Sequence, residues 1–445
     1  MTATAPRYMT RFRCLADACE DTCCAGLVVT VSEARWTRLR DAVAGGPDAA
    51  RVEAFIRPDE GSGPGAEAAV IAKREDGHCV FLDERKLCSL HRAHGEAVLP
   101  DACATFPRVA TRGDERLEVV GSLACPEVAR LCLLAEDGVE PVPVSDDVAV
   151  RPELARRLGG DAWTGNAEAV RAVAVRLLQR REVPFASRLF ALGQLALRLD
   201  GFYFRGTEAF SGGAEALLSG SQPDGAEALP AGRHPEAARI GAETLLADVL
   251  RSFDAPETLA ELHAGFSAIA LPGGPWAAIC ATVLKARVGA VRSERFAVLA
   301  RAALASYGGA EVPDEVWRIH SERCAKLVPS LSERVEQYFR HHAVNHWLRH
   351  PFTDAPTLLD YVFRLTLRAA VLRWTLFGHP TVVALCGVED SAEARAQLDA
   401  AAVECFQLVA KHVEQAPELH SLAQGLAGKG GAETLGRMLV LLKGL

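Results

Sequence analysis

Cys14-x4-Cys19-x3-Cys23-Cys24 places four thiols within eleven residues, in the polar, turn-prone stretch Ala18-Cys19-Glu20-Asp21-Thr22-Cys23-Cys24-Ala25-Gly26. A second set follows. It comprises Cys79-x8-Cys88, then Cys103 within Pro100-Asp101-Ala102-Cys103-Ala104-Thr105-Phe106-Pro107-Arg108, then Cys125 before Pro126. Thiolates at short spacing on turns can converge on one soft cation, because turns let successive side chains point inward. The candidate metal ligands are therefore Cys14, Cys19, Cys23, Cys24, Cys79, Cys88, Cys103 and Cys125. Adjacent Cys23 and Cys24 rarely both reach one mononuclear ion. The spacing alone leaves open one iron–sulfur cluster with spare cysteines, one cluster plus a zinc, or two centres.

Of 13 cysteines, nine lie in the first 132 residues, and that clustering argues against thiols scattered through a core. A disulfide framework needs an oxidising compartment. The opening MTATAPRYMTRFRC lacks the apolar run of a secretory signal, so a cytoplasmic location with reduced thiols is expected. Cys132 sits in the apolar helical text Val128-Ala129-Arg130-Leu131-Cys132-Leu133-Leu134 and reads as core, as do the isolated Cys280, Cys324, Cys386 and Cys405. His78, His91 and His94 lie near the thiols and read as surface or supporting groups rather than ligands.

The elements that must position these thiols are short. Leu27 to Val31 reads as a strand, with Ser32 as N-cap of a helix through Trp36 and Leu39. Ala69 to Lys73 and Cys79 to Leu82 are expected to pair across Asp76-Gly77, and Val109 to Thr111 with Leu117 to Val120 across Arg112-Gly113-Asp114. The Gly-, Pro- and acid-rich stretch from Ala44 to Gly65 reads as a surface loop, and Glu140 to Pro152, with three prolines, as the exit from the module.

From residue 152 the pattern turns helical. Apolar residues recur at helical spacing over Ala167–Arg181, Ser187–Leu199, Pro235–Phe253, Pro256–Ala270, Ser293–Tyr307, Pro313–Leu327, Ser330–Arg349, Thr357–Phe377, Ser391–Val413 and Ala432–Leu442. Gly201 to Arg233 has no clear period and reads as a loop. The expected fold is mainly α, with a small Cys-rich mixed α/β metal-binding module over residues 1–140 and an all-α domain over 152–445.

The 445 residues carry 49 basic and 57 acidic side chains, a net charge of −8 that argues against a broad grip on nucleic acid. No stretch reaches the roughly 18 consecutive apolar residues of a membrane span. The best, Gly265 to Ala286, is broken by Pro272-Gly273-Gly274-Pro275.

The motifs Phe12-Arg13-Cys14, Asp21-Thr22-Cys23-Cys24-Ala25-Gly26, Cys103-x2-Phe106-Pro107-Arg108 and Leu123-x-Cys125-Pro126 resemble those of the flagellin lysine N-methylases. That family shares its clustered-cysteine module with a wider group of zinc- or iron-chelating proteins. Glu336-Gln337-Tyr338-Phe339, Asn345-x-Trp347-Leu348, and Leu359-x-Tyr361 with Arg364 and Arg368 have the character of its C-terminal region. Leu27 stands where the family commonly has an aromatic residue, a conservative change. The resemblance implies methyl transfer from S-adenosylmethionine to lysines of flagellin in the cytoplasm. It also implies an iron–sulfur cluster, of 4Fe-4S type, on the cysteines, with zinc as the alternative.

Methyl transfer requires a neutral lysine amine, although lysine ordinarily titrates near 10.4, so a site must lower that value or accept the proton. No strand, Gly-rich turn and helix of a dinucleotide-type donor site is present in the text. Gly425-Leu426-Ala427-Gly428-Lys429-Gly430-Gly431 reads as a helix-to-helix loop. Radical chemistry would call for Cys-x3-Cys-x2-Cys. Cys19-x3-Cys23 supplies the first spacing, but Gly26 holds the third position. His342, His346 and His350, beside His341, share one helical face at a spacing that could bind a metal, but no carboxylate or cysteine completes the set locally and they read as a polar or partly exposed surface. Tyr338, Trp347, Tyr361, Arg364, Arg368 and Arg373 read as helix packing with solvated arginines, or as a donor or substrate surface on which Asp360 could orient a lysine. The catalytic base and donor site are not legible. The alternative class is a non-enzymatic metal carrier or scaffold, and a third is a redox protein.

Overall fold

The computed structural model describes residues 2–58, 68–114, 116–145, 148–159, 163, 165–205, 235–414 and 416–445. The chain divides into two compact units. The first gathers residues 1–156 with two distant segments, 285–302 and 399–415. The second holds residues 157–284, 303–398 and 416–445.

Two small sheets build the first unit. Strands β1 (Thr2–Pro6), β5 (Arg108–Arg112), β6 (Arg116–Gly121), β7 (Pro141–Val144) and β8 (Arg156–Arg157) lie in the order β7-β1-β6-β5-β8. β5 and β6 form the expected hairpin, with Val109 opposite Val120 and Thr111 opposite Glu118. β1 pairs parallel to β6 and antiparallel to β7. β6 is central and buried from Leu117 to Gly121, as its apolar run requires. The prolines of the exit segment do not prevent pairing. Pro141 and Pro143 occupy an edge strand, where a missing N–H leaves no inner partner unsatisfied.

The second sheet runs β2 (Thr30–Val31), β4 (Ala69–Ile71), β3 (Ile56–Pro58). This corrects the hairpin expected across Asp76-Gly77. Both hydrogen-bonding edges of β4 are taken by β2 and β3, so of that pairing only the single bridge Lys73–Cys79 forms. With this sheet lie α2 (Glu33–Val43), α3 (Ala49–Phe55), α4 (Ser89–His94) and α5 (Asp101–Thr105), while α1 (Arg7–Arg11) packs on the five-stranded sheet and on α6 (Pro126–Leu134). Ser32 is the N-cap of α2, without a side-chain hydrogen bond. Trp36, Leu39, Val52, Ile71, Phe81 and Leu90 share one core, against which Cys24, Cys88 and Cys103 pack.

The second unit is helical, and the ten periodic segments, two of which run into the first unit, each give a helix, all but Ser187–Leu199 close to the expected bounds. Three described helices carry no expectation: Gly274–Ala290, Pro380–Leu385 and Pro417–Ala427. In the first, the Pro-Gly-Gly-Pro run that reads as a break serves as the helix start. Phe185–Arg205 extends past the expected loop start at Gly201, and the remainder of that loop and part of Ala44–Gly65 lie outside the described residues. Leu358–Gly378 is buried nearly all round and packs against Phe185–Arg205 and Gly431–Leu442. Its first N–H groups are satisfied by Asp200, whose two carboxylate oxygens accept from Leu358 and Leu359 at 2.8 Å each. No described helix is long and apolar enough to cross a membrane.

Gly121 closes the packing between β6, α1 and α6. A Cβ there would lie 2.7 Å from Val128, 2.8 Å from Met9 and 3.0 Å from Tyr8. Its N–H donates to the Tyr8 hydroxyl at 2.7 Å. Gly121→Ala is expected to cost about 1–3 kcal/mol through overpacking. Thermal unfolding followed by circular dichroism checks this, and an unchanged midpoint would contradict it.

Candidate metal centre

The first four thiols sit on an irregular loop after α1. Cys19 Sγ donates to the Asp21 carbonyl at 3.4 Å, and the Cys24 N–H donates to Thr22 Oγ1 at 3.2 Å. Gly26 turns the chain at φ +76°, where an added Cβ would stand 2.9 Å from His412 Cε1, so both backbone and space call for glycine. Ala25 bridges to His78, and the Cys79 N–H donates to the Cys24 carbonyl at 2.8 Å. That pairing carries Cys79 to Cys24. Cys88 bridges to Leu82 and precedes α4, Cys103 lies within α5, and Cys125 precedes α6.

The thiols gather in two sets, visible in how each shifts its neighbours. The hydrogen bond with Cys23 raises Cys24, and burial adds to it. Burial raises Cys79 and Cys88, with Cys24 contributing to both. Burial pushes Cys103 up to about 12, reinforced by Cys24, Cys88 and Cys79. Separately, burial pushes Cys125 up to about 11, reinforced by Cys19 and Cys14. Burial likewise raises Cys19, with a smaller effect from Cys14. One set is thus Cys24, Cys79, Cys88 and Cys103, with Cys23 at its side. The other is Cys14, Cys19 and Cys125.

Several groups favour the thiolate against this burial. Backbone N–H groups of Val128 and Glu127 face Cys125, and those of His91 and Leu90 face Cys88. Lys73 lowers Cys24, Cys79 and Cys103, and its Nζ donates to the Cys24 carbonyl at 3.4 Å. Grouped thiols that resist ionisation beside N–H donors and one ammonium are a donor set suited to a soft cation, whose charge would offset the repulsion. Among the described residues no three Cys, His, Asp or Glu side chains already stand at ion-holding spacing.

Two of the neighbouring histidines face carboxylates rather than the thiols. His94 meets Asp48 at 3.0 Å and His78 meets Asp76 at 3.2 Å. Cys132, Cys280 and Cys405 are buried core residues, while Cys324 and Cys386 are only half-buried. Cys324 Sγ lies 3.4 Å from His320 Nε2, and Cys386 Sγ donates to the Val382 carbonyl at 3.3 Å.

A contact that sequence reasoning missed pins the cysteine loop. Lys411 Nζ donates to Asp21 Oδ1 at 2.9 Å and to the Thr22 carbonyl at 3.0 Å. One helical turn earlier, Gln407 Nε2 donates to Asp21 Oδ2 at 2.7 Å and to the Ala124 carbonyl at 3.1 Å. Arg295 donates to the Glu20 carbonyl at 3.3 Å and reaches Glu404 at 3.4 Å. No local motif announces partners 386 and 390 residues apart.

In the helical unit the histidine row differs from expectation. His341, His342 and His346 are buried, not on a partly exposed face. The His346 ring lies 4.7 Å from His350 and 5.3 Å from Tyr361, and burial holds His346 well below its ordinary value. The Tyr361 hydroxyl donates to the His346 and His350 carbonyls at 3.2 and 3.0 Å, closing the end of Pro329–Arg349. Asp360 is paired with Arg364 at 2.7 Å, and Arg373 lies over the Phe377 ring at 4.9 Å. Among Gly425 to Gly431, residues 425–427 end a helix, and Gly431 begins the next.

Residues 13–126 match the CxxCxxCC family model, described as a zinc- or iron-chelating domain. Residues 171–441, more than half of the chain, match the FliB lysine N-methylase C-terminal domain. The chain belongs to the FliB lysine N-methylase family. It is 30% identical over 142 residues to the Lysine-N-methylases of Salmonella typhimurium and Salmonella choleraesuis, an overlap of 31% of this chain and 34% of each relative. It is 29% identical over 151 residues to the Flagellar biosynthetic protein FliU of Salmonella muenchen, covering 31% of this chain and 81% of that relative. The chain thus spans about a third of the length of the two Lysine-N-methylases it matches. No solved structure matches it. In this FliB-family chain, Asp21 and Ala124 fall within the chelating-domain match, and Gln407 and Lys411 within the methylase match. One compact unit therefore draws on both.

His412, against Gly26 and 5.3 Å from the Phe296 ring, is pushed down to about 4 by burial and then by Lys411. Between that value and the ordinary 6.5, the unfolded chain binds a proton that the folded chain refuses. His412 therefore imposes no penalty above about pH 6.5 and costs up to about 3 kcal/mol as pH falls towards 4. Wild type should lose that much more stability than His412→Leu between about pH 7 and pH 4. Urea unfolding at several pH values checks this. Equal pH slopes in the two proteins would contradict it.

Proposed function

We propose that this chain is an S-adenosylmethionine-dependent protein-lysine N-methyltransferase acting on flagellin in the cytoplasm, with a metal centre on its N-terminal thiols. The observation that carries the activity is the family match over residues 171–441, supported by relatives named Lysine-N-methylase and Flagellar biosynthetic protein FliU. The reaction forms a bond between the lysine nitrogen and the methyl carbon, breaks the sulfonium sulfur–carbon bond, and releases the proton of the amine. A neutral amine held in line with the sulfonium, away from water, is what the chain must supply.

For the metal we propose an iron–sulfur cluster of 4Fe-4S type on the eight thiols Cys14, Cys19, Cys23, Cys24, Cys79, Cys88, Cys103 and Cys125, with zinc as the alternative. Cys24, Cys79, Cys88 and Cys103 offer four thiolates, the number that one tetrahedral ion or one cubane takes. Cys14, Cys19 and Cys125 are the thiols of a second centre, while Cys23 stands beside Cys24 of the first. The grouping of the thiols and the chelating-domain match support this reading. A bound cluster would supply soft Lewis-acid and electron-transfer capacity. The thiols and the N–H groups that face them would hold it in place.

Two experiments test the proposal. Incubating the purified chain with S-adenosylmethionine and flagellin should add methyl mass increments to flagellin lysines. Full metal loading without any increment would favour the carrier or scaffold reading. Cys103→Ser and Cys125→Ser should each remove part of the bound metal, and the double variant nearly all of it. Unchanged metal content in either single variant would contradict two centres.

A further inference from the structure

We propose that Gln407 and Lys411 are positioning residues for the metal centre, holding the Cys14–Cys19 loop in register with Cys125. This rests on the proposed metal-binding role of those thiols.

Gln407 and Lys411 stand one turn apart on the same face of Ala392–His412. Asp21 lies between Cys19 and Cys23, and both of its carboxylate oxygens are taken, one by each residue. Lys411 also holds the Thr22 carbonyl, the residue before Cys23. The same Gln407 amide nitrogen that holds Asp21 holds the carbonyl of Ala124, the residue before Cys125. A single side chain thus spans the two segments that carry Cys19 and Cys125. The Lys411 side chain is 2% exposed and that of Asp21 10%, so water does not compete for these contacts.

Neither residue is placed to ligate a metal. Lys411 is a cation already spent on Asp21 and Thr22, and the Gln407 nitrogen is a donor. Their effect on a metal must pass through the two segments they join. Outer groups that orient ligands are commonly worth about 10–100-fold in metal affinity.

The test uses the full chain, reconstituted with iron and sulfide or with zinc. It follows metal released to a chelator and the visible absorption of the bound centre. Gln407→Leu removes two hydrogen bonds without stranding a charge, and Lys411→Met removes the ammonium. With helical circular dichroism retained, each should release the Cys14/Cys19/Cys125 share of metal about 10–100-fold faster and alter its absorption. Lys411→Arg, which keeps the charge and the donors, should restore slow release. Gln407→Leu guards against Lys411→Met failing to fold, since it leaves Asp21 paired. A metal-loaded wild type whose variants match it in release and spectrum would overturn the positioning role alone. A wild type that binds no metal would overturn the metal reading, and the positioning role with it.

Discussion

A buried ammonium–carboxylate pair, Lys411 with Asp21, is the contact on which the cysteine loop depends. Such a pair adds little net stability when desolvation is counted, but it is costly to break from one side. Here its remaining valences are filled, by the Thr22 carbonyl on the lysine and by Gln407 on the aspartate. A short loop rich in thiols has no apolar surface with which to fix itself. The chain fixes it instead by anchoring it to a long helix whose own position is set by packing.

That arrangement explains why the first compact unit is not a contiguous stretch. The module over residues 1–156 has two small sheets and short helices, with a core of its own around Trp36, Leu39 and Phe81. Segments 285–302 and 399–415 join it and contribute buried partners, Phe296, Phe406 and Val409 among them. The chelating domain and the methylase domain are separate as sequence families, yet residues of both build the surroundings of the thiols.

The helices were legible because each buries one face, and burial at a 3.6-residue period leaves a pattern. Leu358–Gly378, buried nearly all round, was legible from the apolar recurrence over Thr357–Phe377. The β5–β6 hairpin was legible from alternation around Gly113. What failed was partner choice. β4 has a strand-like sequence, but nothing in Ala69–Ile71 specifies pairing with β2 and β3 rather than with Cys79–Leu82. The burial of His341, His342 and His346 was also hidden, since histidines on a helix read as polar until the helices around them are placed. Among the candidate ligands, spacing identified the cysteines and left two centres open but not their membership, because Cys24 is carried to Cys79 by a backbone bond between distant loops. The pairing of Asp21 with Gln407 and Lys411 left no trace, since the partners lie 386 and 390 residues away.

The most direct test of the account is an anaerobic purification of the full chain with iron, acid-labile sulfide and zinc measured per folded protein. The account predicts iron and sulfide in comparable amounts, with a broad visible absorption that bleaches on reduction. Zinc without sulfide would contradict the cluster and leave a structural thiolate site. A folded chain holding neither metal would contradict the central claim that these thiols are ligands.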